Sequence, residues 1–168
     1  MTSRQRLWAP WRNAYLSRQS PSRSCIFCAA ARSRADRTYR VVARGQRVFA
    51  ILNLYPYNNG HLMIAPTRHI GTLAQIRPAE WTELLNMLQR FTRQLQRTLR
   101  PQGFNLGINL GRIAGAGIPG HLHVHLVPRW KGDTNFMPVV AETKVISQSL
   151  DTLYTLLTRP TRRGAHAA

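Results

Sequence analysis

The stretch His121-Leu122-His123-Val124-His125-Leu126-Val127-Pro128-Arg129-Trp130 constrains the fold more than any other part of the chain. Its three histidines alternate with Leu122, Val124 and Leu126. Successive side chains of a β-strand point to opposite faces, so the pattern predicts a half-buried strand closed by Pro128. His121, His123 and His125 then share one face and the aliphatic side chains the other. At a rise of roughly 3.3 Å per residue, neighbouring histidines stand about 6.5–7 Å apart. The aliphatic face demands a core, and the imidazole face offers chemistry. Neutral imidazole ligates zinc and other transition metals. Imidazole nitrogen also attacks phosphorus, and a neighbouring imidazole with a pKa near neutrality can donate to a phosphate oxygen or protonate a leaving group. Both uses are open at this point, and they do not exclude each other.

The rest of the chain supplies partners for such a strand. Val48 to Leu54 and His61 to Pro66 are apolar runs separated by Tyr55-Pro56-Tyr57-Asn58-Asn59-Gly60, which predicts a hairpin with a longer loop. A short strand near Tyr39 to Ala43 is expected beside it. Between Pro78 and Arg100 the period becomes helical. Trp81, Leu84, Leu85, Leu88, Phe91, Leu95 and Leu99 fall on one face and Arg90, Arg93, Arg97 and Arg100 on the other, with Pro78 where a first-turn proline is tolerated. Gly103 to Gly111 alternates again as a strand. The loop from Arg112 to Gly120 holds Gly115, Gly117 and Gly120, and its amides can approach a phosphate closely. Val145, Ile146, Leu150, Leu153, Leu156 and Leu157 predict a second helix. Strands, helix, strands, helix is the order of an α+β fold with an antiparallel sheet.

At 168 residues the chain suits a single domain with its own core. Residues 1–24 read as an N-terminal arm whose Trp8, Trp11 and Tyr15 need burial on the body or on a neighbouring subunit. Residues 25–158 form the domain, and 159–168 a basic, frayed tail. No apolar run approaches the roughly 18 residues that cross a bilayer, and Met1 to Arg12 lacks the apolar stretch of a signal peptide, so a cytoplasmic protein is expected. The 24 basic and 6 acidic residues, net +18, attract polyanions such as nucleic acid or phosphorylated small molecules. Only Lys131 and Lys144 are lysines, a skew that coding composition explains as readily as selection for binding. The arginine stripe of the long helix reads first as a solvated face. Cys25 and Cys28 are too close in sequence for a structural disulfide staple in a reducing compartment, which leaves a metal pair, a redox pair or two idle thiols.

His121-Leu122-His123-Val124-His125-Leu126-Val127 resembles the signature of the histidine triad family of nucleotide hydrolases and transferases. Asn53 through Pro66 resembles the first hairpin of that family, and Asn105 to Gly111 the strand before the triad. Leu7-Trp8-Ala9-Pro10-Trp11, Asn53-Leu54-Tyr55-Pro56-Tyr57-Asn58 and Pro128-Arg129-Trp130 through Phe136 look most like its bacterial diadenosine tetraphosphate phosphorylases. The resemblance implies an antiparallel five-stranded sheet with two main helices, paired across a two-fold axis into a homodimer with an extended sheet. It implies His123 as the nucleophile that takes up a nucleotidyl group, and His125 as its partner at the phosphate and leaving group. Asn53 falls where the family contacts the ribose, Leu52 and Leu54 near the base, and Asn109 and Gly117 at the phosphate end. It further implies a structural zinc on Cys25, Cys28, His69 and His121, a donor set that suits a closed tetrahedral site. A divalent metal such as magnesium can accompany the nucleotide.

Many dinucleoside polyphosphate hydrolases of the family carry a glutamine where this chain has Gly117. Loss of a side chain that places water fits an acceptor such as inorganic phosphate. The expected reaction is therefore phosphorolysis of diadenosine tetraphosphate to ATP and ADP. The alternatives are hydrolysis of nucleoside phosphoramidates or dinucleoside polyphosphates and, from another class, a basic nucleic-acid-binding module.

Overall fold

The computed structural model describes residues 25–133 and 146–159. The expected N-terminal arm, the segment Asn135-Phe136, the start of the second helix at Val145 and nearly all of the C-terminal tail lie outside these residues. The chain opens with α1 (Ile26–Arg32) and the single turn α2 (Asp36–Tyr39), followed by β1 (Val41–Arg44), β2 (Val48–Leu52) and β3 (Leu62–Pro66). The long helix α3 (Pro78–Thr98) comes next, then β4 (Gly103–Ile108), β5 (Val124–Arg129) and α4 (Leu150–Thr158). The strands form one antiparallel sheet in the order β1-β2-β3-β5-β4. The expected α+β architecture with a five-stranded antiparallel sheet and two main helices is the one observed.

Alternation along the strands divides the interior in two. Val48, Ala50, Leu52, Leu62, Ile64, Val124 and Leu126 face α3 and α4, where Leu84, Leu88, Phe91, Leu95, Leu153 and Leu157 complete the main core. Phe49, Ile51, Met63 and Ala65 face the other way, toward Phe27 and Ala30 of α1. Each large apolar side chain buried in these clusters contributes roughly 1.5–3 kcal/mol. Helix α3 starts at Pro78, and Glu80 accepts the Arg77 amide at 2.8 Å, which satisfies an otherwise orphaned helix-terminal donor. Its buried face departs from the expected one at three residues. Leu85 is 48% exposed, and Met87 and Gln94 are buried in addition to the expected leucines. Gln94 tolerates burial because its amide donates to the Leu157 carbonyl, tying α3 to the end of α4. Helix α4 starts at Ser149, whose hydroxyl accepts the Thr152 amide.

The ends of several elements differ from the sequence-based expectation. Residues 36–39, which overlap the first expected strand, make a helical turn, and β1 begins only at Val41. Arg40 between them adopts a left-handed conformation at φ 60°. The Arg/Ala-rich segment after Cys25 is α1, closed at its C-terminal end by Arg44, whose guanidinium donates to the carbonyls of Ala30, Ala31 and Ser33. Strand β5 begins at Val124 rather than His121 and runs through Pro128 to Arg129. Pro128 is accommodated because β3 pairs with β5 only from Ile64↔Val124 to Leu62↔Leu126. At the other end, the Pro66 carbonyl receives the His121 imidazole, and the Leu122 amide bonds Ile70. The three histidines nevertheless keep to the α1 side of the sheet, as the alternation requires.

Candidate metal centre and active site

Cys25 caps the N-terminus of α1 and Cys28 lies three residues on, so one helical turn brings both thiols to the same side. His69 follows β3, and His121 ends the glycine-rich loop before β5. Cys25 Sγ lies 3.3 Å from His121 Nδ1, and Cys28 Sγ lies 3.6 Å from the same atom and 3.2 Å from His69 Nδ1. One donor atom from each of the four residues falls within 4.8 Å of the other three. Tetrahedral zinc, with bonds of roughly 2.0 Å to nitrogen and 2.3 Å to sulfur, sets its ligand atoms about 3.3–3.8 Å apart, so the four residues fit such an ion. The orientation of His121 also suits a ligand. Its Nε2–H donates to the Pro66 carbonyl at 2.8 Å, which leaves the Nδ1 lone pair toward the thiols. Burial holds His121 below the ordinary imidazole range, in the neutral form that binds metals, and His69 and His123 act in the same direction. Burial and the adjacent Cys25 push the Cys28 thiol up, and a bound cation would offset both effects. Gly120 passes close to His69, for a Cβ there would lie 3.4 Å from Nε2.

The candidate reaction centre begins two residues further on. His123 Nδ1 donates to the His121 carbonyl at 2.8 Å, so its Nε2 is the unprotonated nitrogen. Burial keeps this imidazole neutral by lowering its pKa, although the bond to the His121 carbonyl opposes the shift. The His125 ring lies 4.9 Å from that of His123 in an edge-to-face arrangement. Its protonation follows from a chain of donors. The Tyr57 amide donates to His61 Nδ1 at 2.9 Å, so the proton of His61 is on Nε2. His61 Nε2 then donates to His125 Nδ1 at 2.9 Å, which leaves the His125 proton on Nε2. Burial, and to a smaller extent His123, push His125 down to about 4, so it remains a neutral donor at neutral pH. An unprotonated nitrogen on His123 and an N–H on His125 thus stand side by side, an arrangement suited to nucleophilic attack with a hydrogen bond to the group that leaves.

Four of the expected nucleotide-side residues have definite surroundings. Asn53 places Nδ2 at 3.3 Å from His61 Nδ1 and accepts the Tyr55 amide on Oδ1, which fixes its side chain beside the imidazole pair. Leu54 is exposed at the loop that follows. Leu52 is buried in the main core, on the face of the sheet away from the imidazoles. Asn109 donates to the Gly115 carbonyl and braces the glycine-rich loop that contains Gly117. Gly111 and Gly115 in that loop have φ of 81° and 88°, conformations that side-chain-bearing residues rarely adopt. Sequence reasoning passed over two residues. His61 is buried and immediately precedes β3, a strand buried throughout, an odd place for a histidine unless another polar group waits across the sheet. Phe27, the aromatic side chain between the two cysteines, is fully buried against the rings of His121 and His123.

Comparison with known proteins agrees with this fold. The HIT domain family model matches residues 34–132. The chain is 43% identical over 153 residues to AP-4-A phosphorylase of Mycobacterium tuberculosis, covering 87% of this chain and 78% of that protein. It is 33% identical over 84 residues to the asymmetrical bis(5'-nucleosyl)-tetraphosphatase of Schizosaccharomyces pombe, covering 50% of this chain and 46% of that one. The crystal structure of a Zn-bound histidine triad family protein from Mycobacterium smegmatis superposes with a TM-score of 0.65 at 26% identity, covering 82% of this chain and 92% of that one. In sequence and in fold alike, the chain belongs to the HIT domain family.

Proposed function

We propose that this nucleotide-processing enzyme transfers the adenylyl group of diadenosine tetraphosphate to inorganic phosphate through a covalent intermediate on His123. The observation that carries the reading is the pair of opposed tautomers, a lone pair at His123 Nε2 beside an N–H at His125 Nε2. The identity to AP-4-A phosphorylase supports the choice of substrate. In the first step His123 Nε2 bonds the α-phosphorus, and the bond from that phosphorus to the bridging oxygen breaks. ATP leaves on that oxygen as the phosphate anion, with the His125 Nε2–H donating a hydrogen bond to the charge that develops there. The bond from His123 Nδ1–H to the His121 carbonyl steadies the positive charge that the ring acquires. In the second step an anionic oxygen of phosphate, held by the same His125 N–H, attacks the same phosphorus. The phosphorus–nitrogen bond breaks, and AMP joined to phosphate departs as ADP.

Asn53 is placed for the ribose, with Leu54 and the backbone at Leu52 toward the base. Asn109 and the loop at Gly117 serve the phosphate end, where glycine amides can approach anionic oxygens. Cys25, Cys28, His69 and His121 are proposed to hold a zinc ion with no open ligand position, which anchors α1 to the two loops and takes no part in bond making. A cytoplasmic, dimeric protein is part of the same proposal, and no helix among the described residues is long and apolar enough to cross a membrane. Incubation with diadenosine tetraphosphate, with and without phosphate, tests the acceptor. ATP and ADP forming only with phosphate is the expected result, whereas undiminished cleavage to ATP and AMP in plain buffer would establish hydrolysis instead.

A further inference from the structure

Phe27 sits between the two cysteines in sequence and between the two centres in space. Its side chain is fully buried. Its ring centroid lies 5.0 Å from that of His121 and 4.8 Å from that of His123, with interplanar angles of 41° and 34°. On its far side Phe49 of β2 meets it edge-on at 6.4 Å. Besides the His125 ring, two contacts hold the ring of His123, and both lead back to the cysteine–histidine cluster. One is the His121 carbonyl, which accepts from Nδ1, and the other is the face of Phe27. The Phe27 backbone is set by the cysteines on either side of it, because Cys25 and Cys28 bracket the first turn of α1.

We infer that Phe27 is a positioning residue for His123, through which a metal held by Cys25, Cys28, His69 and His121 sets the orientation of the nucleophile. The inference rests on the reading of His123 as nucleophile and of the four residues as a metal site. Drawing the two thiols and two imidazoles around an ion fixes the first turn of α1, and the flat Phe27 ring transmits that position to the imidazole packed on it. Without the ion, α1 keeps Ala30 and Phe27 in the smaller core but loses the constraint on where the Phe27 ring lies. Nucleophilic attack is sensitive to such placement, because the reacting atoms must be aligned at near-contact distance.

The test uses the full chain loaded with Co(II), whose d–d absorption reports the ligand set independently of turnover. The rate of His123 adenylylation is read in a single turnover, before and after the metal is removed with a chelator. Phe27→Leu keeps the bulk of the buried side chain but loses the flat face. It should retain the cobalt spectrum and the nucleotide Kd while slowing adenylylation by about ten- to a hundredfold, the order of effect expected from a displacement near 1 Å. Metal removal should slow the wild type at least as much, and Phe27→Leu by a smaller factor than the wild type, since the two changes share the Phe27 contact. A wild-type rate in metal-loaded Phe27→Leu, or losses that multiply, overturns the inference. If Phe27→Leu cannot hold cobalt, Phe27→Met carries the same comparison, and failure of both to hold metal assigns Phe27 to the metal centre alone and also overturns it. Normal turnover with no adduct on His123 in the wild type would instead remove the nucleophile assignment, and no cobalt bands in the wild type would remove the metal site.

Discussion

At the scale of single residues, the backbone amide of Tyr57 decides which nitrogen of His125 carries a proton, by way of His61. Replacing His61 with Asn removes the ring that passes this information on, and kcat should fall by about a hundredfold, the order of a lost hydrogen bond to the charge on the leaving oxygen, with little change in KM. Steady-state kinetics of His61→Asn check this, and an unchanged kcat would mean that His125 is oriented without it. His123→Asn should abolish turnover and the covalent adduct while leaving nucleotide affinity within a few fold, as intact-mass spectrometry and equilibrium binding would read. The strand pattern made both triad histidines legible, because alternation is visible in sequence. His61 was not legible, since its role depends on the register that places Met63 opposite His125 and so brings two segments 64 residues apart together. Leu52 shows the opposite failure. Its neighbour Asn53 points toward the imidazoles, but a strand sends the next side chain to the other face, and Leu52 is core.

Among the elements, α3 does more than fill the core, because its first turn braces the segment that carries His69. Glu80 is buried and pairs with Arg68 at 2.6 and 2.8 Å, and Arg68 also donates to the Gln75 carbonyl. The Arg68 guanidinium and the Arg77 amide hold the Glu80 carboxyl well down, at about 2 against an ordinary 4.5. A carboxylate with a depressed folded-state pKa contributes stability that is complete above about pH 4.5 and is lost as the pH falls through 2. Glu80→Gln should therefore lower stability by roughly 1–3 kcal/mol at neutral pH, with the gap to wild type closing between these limits. Urea midpoints measured across the acid range would show it, and a gap independent of pH would exclude the ion pair as its source. Gly60 ends the hairpin loop at φ 76°, and a Cβ there would lie 2.6 Å from Leu99 Cδ1 and 3.2 Å from Pro128 Cγ. Gly60→Ala should cost about 2–3 kcal/mol in denaturant unfolding, from left-handed strain together with overpacking. The long helix, the hairpin and β4 were legible because their periods are long enough to read. Helix α1 was hidden by its length of 7 residues and by an Arg/Ala composition whose pairing with Arg44 only the folded chain reveals.

Taken as a whole, the molecule ties its first described helix to the rest through the cysteine–histidine cluster. Chelation of a bound metal should lower the melting temperature and raise amide exchange first in Ile26–Arg32 and around His69, while the centre of α3 stays protected. Uniform loss of protection would show that the cluster supports the whole fold and not one corner of it. The division of the sheet into two faces has a wider consequence. Leu84, Leu88, Phe91 and Leu95 lie on one side, and Phe27, His61, His123 and His125 on the other. Robustness and reactivity are thus written on separate surfaces of the same strands. Substitutions that improve packing beneath α3 can accumulate without touching the imidazoles, and the chain can drift in that layer while its chemistry stays fixed. The trade between stability and activity that constrains many enzymes is, in this architecture, confined to the thin layer where α1 meets the sheet.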